Sequence, residues 1–385
     1  MKILVIAGFA DSLLKFRGAL LQTMVEHGFE VHVAAPGLAT ATPVGAGVAA
    51  LGCVLHDIPL SRNGLNPLSD LHLAASLYRL MTKLRPTHVL GYTIKPVIYG
   101  MLAARLARVP SRTALITGLG YVFQPQGMSK PSLVQRIAIA LYRLALSGRT
   151  TVVFQNPDDR GLMVAMGIVD GDRTRLVNGS GVPLTEFAVH PLPTLGADGS
   201  AIHFLLIARL IQDKGIREYI AAARLLRQRH PGTVFHVVGW IDSNPSAITQ
   251  AELDQWIGEG LITFHGLLED VRPALAQCHV YVLPSYREGT PRSVLEAMAC
   301  GRAIITTDAP GCRETVVEGY NGFLVPVKQA DALAQACARF VDAPQLIARM
   351  GANSRRLAEE KFDVCSVNRA MFRHMNLVAE PDVTI

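Results

Sequence analysis

Lys2-Ile3-Leu4-Val5-Ile6-Ala7-Gly8 opens the chain as a short apolar run that stops at glycine. A run of that length and composition predicts a buried strand. Ser12 to His27 follows as a predicted helix, closed by the turn residue Gly28. Glu30 to Ala35 is a second strand, stopped by Pro36-Gly37. Ser69 to Leu84 predicts a helix that leads through Arg85-Pro86 into the strand His88 to Gly91. Arg112 to Thr117 and Thr151 to Phe154 extend the series. Strands alternating with helices argue for a parallel sheet covered on both faces.

The pattern then starts again. Ile202 to Ala208 predicts a strand, Ile216 to His230 a helix, and Val234 to Val238 a strand ended by Gly239. Val280 to Leu283, Ala303 to Thr306 and Gly322 to Val325 follow as strands. The Pro- and Gly-rich stretch from His190 to Ser200 separates the two series. The expected organisation is α/β: two Rossmann-like, doubly wound parallel-sheet domains facing across a cleft. They span residues 1–190 and 201–362, joined by a linker at 191–200. Residues 363–385 form a terminal segment. Open sheets of this kind hold ligands outside the carboxyl ends of their strands, so the cleft is the expected site.

With 385 residues, half of them hydrophobic, the chain exceeds one ordinary domain and can bury large cores. Its net charge of +6 suits an anionic partner such as a nucleotide or a phospholipid surface. No Lys/Arg run or module motif points to nucleic acid. The six cysteines form no metal-ligand spacing and read as reduced thiols of a cytosolic protein. The apolar amino terminus lacks a signal-peptide cleavage region and is too short to span a bilayer. The expected location is the cytoplasm, peripheral on the inner face of the membrane.

Chemistry concentrates in Arg287-Glu288-Gly289-Thr290-Pro291-Arg292-Ser293-Val294-Leu295-Glu296. Thr290 suits an N-cap and Pro291 a first helical position. Gly289 to Arg292 would then present free amides and a positive dipole end to an anion beside Glu288. Glu296 falls inside the helix among apolar neighbours, where a carboxylate needs donors such as ribose hydroxyls. By spacing alone, two glutamates eight apart are commonplace on a helix surface. The Gly-Thr-Pro and Ala-Met-Ala-Cys-Gly context favours a site. Arg209 and Lys214 lie in the turn after the first strand of the second series. Two cations there can clamp a diphosphate and stabilise it as it leaves.

On these residues the chain resembles the family-four retaining glycosyltransferases of GT-B fold, in a Glu-x7-Glu motif preceded by an Arg…Lys pair. Gly266-Leu267-Leu268, Pro310 to Val316 and Gly319 to Val325 extend the likeness. Ser12 to Gly18, Thr93-Ile94-Lys95-Pro96, Thr117 to Phe123, Phe154 to Asp159 and Asn178 to Val182 resemble a narrower bacterial group. Its members transfer an N-acetylhexosamine from a UDP-sugar to a sugar on undecaprenyl diphosphate. The nearest add N-acetylgalactosamine, in alpha-1,3 linkage, to lipid-linked bacillosamine. Asp11 and Pro183 depart from that group's usual Asn and Asp or Glu.

The resemblance implies roles residue by residue. Glu288 holds donor-sugar hydroxyls, Glu296 the ribose, and Arg209 and Lys214 the diphosphate; Glu288, Arg209 and Lys214 form the catalytic set. Gly266, Leu267, Leu268, Gly289, Thr290, Pro291 and Arg292 complete the donor site. Gly8 lets the first βα loop approach the reacting centre. Arg17, Thr93, Lys95, Gly118 and Tyr121 fall to the acceptor, although Arg17 and Lys95 read equally as surface cations. The family retains configuration: UDP leaves, the acceptor attacks on the same face, and the leaving diphosphate takes its proton. No cofactor and no metal are expected, UDP-sugar being a substrate. Asp170-Gly171-Asp172 matches a metal-binding Asp-x-Asp but reads better as a turn.

Lys130 to Gly148 predicts an amphipathic helix with Leu133, Ile137, Leu141 and Leu144 on one stripe and Arg136 and Arg143 at heptad spacing. With Lys130, the two arginines suit an anionic bilayer near a polyprenyl acceptor. A core helix with snorkelling arginines is the competing reading. His32, His88 and His265 are expected to pack or face solvent. Rival functions are a capsule, exopolysaccharide or O-antigen transferase using another sugar, and a non-catalytic membrane-associated scaffold on the same fold. A nucleotide-sugar epimerase or dehydrogenase is disfavoured because Gly8-Phe9-Ala10-Asp11-Ser12 is no GxGxxG loop.

Overall fold

The computed structural model describes residues 1–61, 66–119, 123, 133–194 and 202–377. Among them the chain divides into two compact units, Met1–Ser180 with Cys365–Ile385, and Gly181–Val364.

The first unit is built on seven parallel strands: β1 (Lys2–Ile6), β2 (Glu30–Ala35), β3 (Val54–Asp57), β4 (His88–Tyr92), β5 (Ser111–Ile116), β6 (Thr150–Phe154) and β7 (Thr174–Leu176). Their order is β3-β2-β1-β4-β5-β6-β7. Ile3 pairs with Val31 on one side and His88 on the other, so the chain reverses direction across the sheet at β1. All of β1 after Lys2 is buried, as a strand covered on both faces requires. Helices Asp11–Glu26 and Pro67–Leu84 cover opposite faces through Leu13, Leu20 and Met24, and through Leu73, Leu77 and Met81. Edge strands β3 and β7 are short and carry exposed residues, which is why sequence patterning passed over them.

The second unit carries β8 (His203–Ile207), β9 (Val234–Val238), β10 (Thr263–Phe264), β11 (Val280–Leu283), β12 (Ala303–Thr307) and β13 (Gly322–Val325). The order is β10-β9-β8-β11-β12-β13, all parallel, with the reversal between β8 and β11. In each unit that reversal opens a crevice at the carboxyl ends of two neighbouring strands.

The expected boundary at 190 is corrected to Ser180. Val182 pairs with Asp363, and Val182 and Phe187 pack with Leu295, Met298 and Phe362 of the second unit. Helix Val364–His374 packs Val367, Met371 and Phe372 against Leu20, Met24 and Val33, and the Phe372 ring lies 5.1 Å from that of His27. Arg302 is fully buried. Its guanidinium donates to Leu275 O at 2.9 Å, at the end of helix Arg272–Ala276, and to the carbonyls of His190 and Pro191.

Histidines form a ladder across this second sheet. The His203 N–H donates to His279 Nδ1 at 3.0 Å. His203 Nδ1 lies 2.9 Å from His236 Nε2, and His236 Nδ1 lies 3.0 Å from His265 Nε2. Burial, reinforced by His203, lowers His236 to about 4, and burial lowers His279 to about 4. In the first unit His32 is buried and lies 2.9 Å from His56 and 3.0 Å from Glu30.

Candidate active site

The loop after β8 carries Arg209 and Lys214. Gly215 follows at φ +70°, and a Cβ there would sit 2.2 Å from Pro284 O. Glycine thus lets this loop lie directly on the loop after β11. The Tyr286 N–H donates to Asp213 O at 2.9 Å, closing the same seam. Across it, Lys214 Nζ forms an ion pair with Glu288 Oε1, both side chains largely buried.

Glu288 is also held from behind. Its N–H donates to Pro310 O at 2.9 Å. Gly311, at φ +79°, presses so close that a Cβ would lie 2.2 Å from Glu288 O and 2.5 Å from Gly289 O. Arg209 Nη1 bonds Asp242 Oδ2 at 2.9 Å, an acid on the loop after β9 that sequence reading did not single out. Helix Arg292–Ala299 starts one residue later than expected. Pro291, not Thr290, is the N-cap, and the Val294 and Leu295 amides bond Pro291 O at 3.1 and 3.3 Å. Arg292 Nε pairs with Glu296 Oε1 at 2.8 Å. Burial raises the Glu296 carboxyl above the ordinary value, and Arg292 opposes it.

Three cation–carboxylate pairs, Arg209–Asp242, Lys214–Glu288 and Arg292–Glu296, are therefore attached to the mouth of this sheet. Each carboxylate fixes a cation that is suited to phosphate oxygens. Each carboxylate also offers oxygens that can accept from hydroxyls. Gly266 follows β10 at φ +69°; Leu267 is exposed and Leu268 packs on the core.

In the first unit, the loops after β1 and β4 meet at the reversal. A Cβ on Gly8 would lie 2.3 Å from Thr93 Oγ1. Thr93 itself adopts φ +69°, a strained conformation for a β-branched residue and one that clusters at functional sites. Ser12 Oγ lies 2.8 Å from the Tyr92 hydroxyl, and the Arg17 guanidinium lies 5.4 Å from the Tyr92 ring centroid. Arg17 is buried, so its reading as a surface cation is corrected. Lys95 Nζ bonds Asp70 Oδ1 at 2.8 Å, and the Tyr99 hydroxyl donates to Asp70 Oδ2 at 3.0 Å. The surface reading of Lys95 is likewise corrected: it is a largely buried cation with its own anion. Gly118 follows β5 at φ +130°. Tyr121 and Lys130 lie outside the described residues.

The sequence matches two family models, "Glycosyl transferase 4-like domain" over residues 16–179 and "Glycosyl transferases group 1" over residues 201–343. The chain carries two glycosyltransferase domains, one 4-like and one of group 1. This transferase is 29% identical over 315 residues to the N,N'-diacetylbacillosaminyl-diphospho-undecaprenol alpha-1,3-N-acetylgalactosaminyltransferase of Campylobacter jejuni, covering 79% of this chain and 81% of that one. It is 25% identical over 293 residues to the UDP-Gal:alpha-D-GlcNAc-diphosphoundecaprenol alpha-1,3-galactosyltransferase of Escherichia coli, covering 74% of each. Among solved structures, Anabaena HepE in complex with UDP matches with a TM-score of 0.76 at 19% identity, over 98% of this chain and 100% of that one. These likenesses bear out the GT-B fold and a UDP-sugar glycosyltransferase. Asp242 and Asp70 carry no sequence signal of their own: each lies on a different element from the cation it holds. Asp170 of the declined Asp-x-Asp pairs with Arg173 in a turn.

Proposed function

We propose that this glycosyltransferase moves an N-acetylhexosamine, N-acetylgalactosamine by best reading, from a UDP-sugar to a sugar on undecaprenyl diphosphate in alpha-1,3 linkage. Configuration is retained. The Lys214–Glu288 ion pair carries the reading, because it puts a phosphate-binding cation and a hydroxyl-binding acid on one spot. Arg209 and Lys214 stabilise the charge that develops on the departing diphosphate, and Glu288 orients the transferred sugar. Glu296 accepts from the ribose. With three cations and a helix start at the mouth, no metal is required.

The acceptor class is supported by the names of the Campylobacter and Escherichia relatives and by the Thr93–Lys95 loop at the first unit's crevice. Among the described residues no helix is long and apolar enough to cross a membrane. Helix Leu133–Ala145 exposes Leu133, Ile137 and Leu144, with Arg136 beside them, while Tyr142 and Ala145 face the core. We read this face as resting on the anionic inner leaflet. Leu141 packs against the core instead, and Arg143 donates to Met166 O at 2.6 Å and Gly167 O at 3.2 Å.

A second reading, galactosyl transfer, is favoured by the Escherichia relative. Mass spectrometry of the lipid-linked product, after incubation with UDP-N-acetylgalactosamine or UDP-galactose and defined acceptors, separates the two. A mass gain of one N-acetylhexosamine, unaffected by a chelator, is the expected result. No product with any UDP-sugar would refute the proposal.

A further inference from the structure

Helix Pro67–Leu84 buries Leu73, Leu77 and Met81 along one stripe, and Asp70 stands on the same stripe in its first turn. An acid there is costly, because the stripe faces the core. The helix start is already capped without it: Asn66 Oδ1 accepts from the Leu68 and Ser69 amides at 3.1 and 3.3 Å. The Asp70 carboxylate reaches instead to the segment after β4. Its Oδ1 takes the Lys95 ammonium at 2.8 Å, and its Oδ2 the Tyr99 hydroxyl at 3.0 Å. Burial, reinforced by Asp70, pushes the Tyr99 phenol up to about 12, so it stays a donor.

Lys95 and Tyr99 flank a π-helical turn, Pro96–Gly100, that opens helix Met101–Leu106. Such turns are rare and gather at functional sites. Two residues before Lys95, Thr93 is held at φ +69° against Gly8, at the reversal of the sheet. A buried ion pair is weak evidence for stability, since apolar residues in its place commonly serve the fold as well or better. What this pair does supply is a fixed ammonium. Lysine carries its charge on a flexible four-carbon stem, and ordering that stem on binding costs affinity. Here Asp70, itself anchored by Tyr99, orders it beforehand. Asp70 takes one of the three ammonium protons. The Lys95 side chain is 14% exposed against 9% for Asp70, so an anion at the crevice meets the cation ahead of the acid.

We propose that Asp70 is a positioning residue: with Tyr99, it sets the Lys95 ammonium at the mouth of the first sheet to receive the diphosphate of the lipid-linked acceptor. This rests on the acceptor reading above and adds to it two residues that act through Lys95.

The test follows initial rates of wild type, D70N, Y99F and K95M against the concentration of N,N'-diacetylbacillosaminyl-diphospho-undecaprenol, with UDP titrated by calorimetry. D70N and K95M are each expected to raise the acceptor KM about tenfold or more, with kcat within about threefold of wild type. Y99F, which keeps the ion pair, should show a smaller rise of about threefold, and UDP affinity should be unchanged in all. Because Asp70 acts through Lys95, D70N should raise the KM no further in a K95M background. The double variant D70L/K95M replaces the pair by apolar side chains and should unfold no earlier than the wild type while keeping the raised KM, which separates binding from folding. A wild-type or lower acceptor KM in D70N, beside a raised one in K95M, would overturn the role of Asp70 and leave the acceptor reading intact. A wild-type KM in K95M would remove Lys95 from the acceptor site and the proposal with it. A wild type that transfers to no diphosphate-linked acceptor would sink both.

Discussion

Gly311 packs against the backbone of Glu288, the residue assigned to the transferred sugar, and Gly311→Ala isolates the placement of that residue. The new Cβ would meet Glu288 O at 2.2 Å, Glu288 C at 2.5 Å and Gly289 O at 2.5 Å, where ordinary contact begins near 3.4 Å. All three are backbone atoms, so no rotamer change relieves the overlap. The Glu288 peptide has to retreat from Gly311 by roughly 1 Å, which displaces the side chain that Lys214 holds. A displacement of that size at a reacting centre costs on the order of a hundredfold in turnover. Overpacking adds about 1–3 kcal/mol of destabilisation, and alanine at positive φ about 1 kcal/mol more. Gly319→Ala is the matched control: its φ is +74°, yet nothing lies within 4 Å of the added Cβ. It should lose about 1 kcal/mol and keep its activity. The assay is initial-rate transfer to a lipid-linked acceptor, read beside thermal unfolding. Equal turnover in G311A and G319A would refute the argument that Glu288 is positioned by this contact.

Glu288→Gln or Lys214→Ala should each lower turnover by about 10²–10³ with the fold intact, because each removes a preorganised charge; normal rates in either would undo the site assignment. Glu296→Ala should mainly weaken UDP binding, and unchanged affinity in a titration would remove its ribose role. Stability should fall as the pH drops from 6.5 towards 4. The folded values of His236 and His279 lie below the unfolded 6.5, so the unfolded chain binds more protons across that window. For His279 the loss by pH 4 is roughly 3 kcal/mol. His279→Asn keeps an acceptor for the His203 N–H, and its unfolding temperature should depend less on pH than the wild type's. Arg302→Leu should cost about 3 kcal/mol or more by orphaning buried carbonyls, measured by denaturant unfolding.

The sheets were legible because buried parallel strands write themselves as continuous apolar runs. Glu30–Ala35, Val234–Val238, Val280–Leu283 and Gly322–Val325 appear at the expected limits. Strand Val54–Asp57 was not legible, since an edge strand with exposed residues carries no such run. At the site, the charged members stood out by type, but their partners did not. Asp242 meets Arg209 and Asp70 meets Lys95 only through folding. The histidine ladder is equally silent in the sequence, because parallel register brings its members into line. The helix start was misplaced by one residue because Pro291 suits both the N-cap and the first turn, and only the backbone geometry decides.

The three ion pairs at the mouth of the second sheet have a kinetic consequence. Arg209, Lys214 and Arg292 bring three positive charges, and Asp242, Glu288 and Glu296 bring three negative ones. Seen from beyond a Debye length of about 8 Å, the pairs cancel. They exert little pull on a distant nucleotide and act only once phosphate oxygens arrive to share the guanidinium and ammonium protons. Capture by this half of the protein should therefore be slow to respond to added salt, with the long-range attraction left to the rest of its +6 surface.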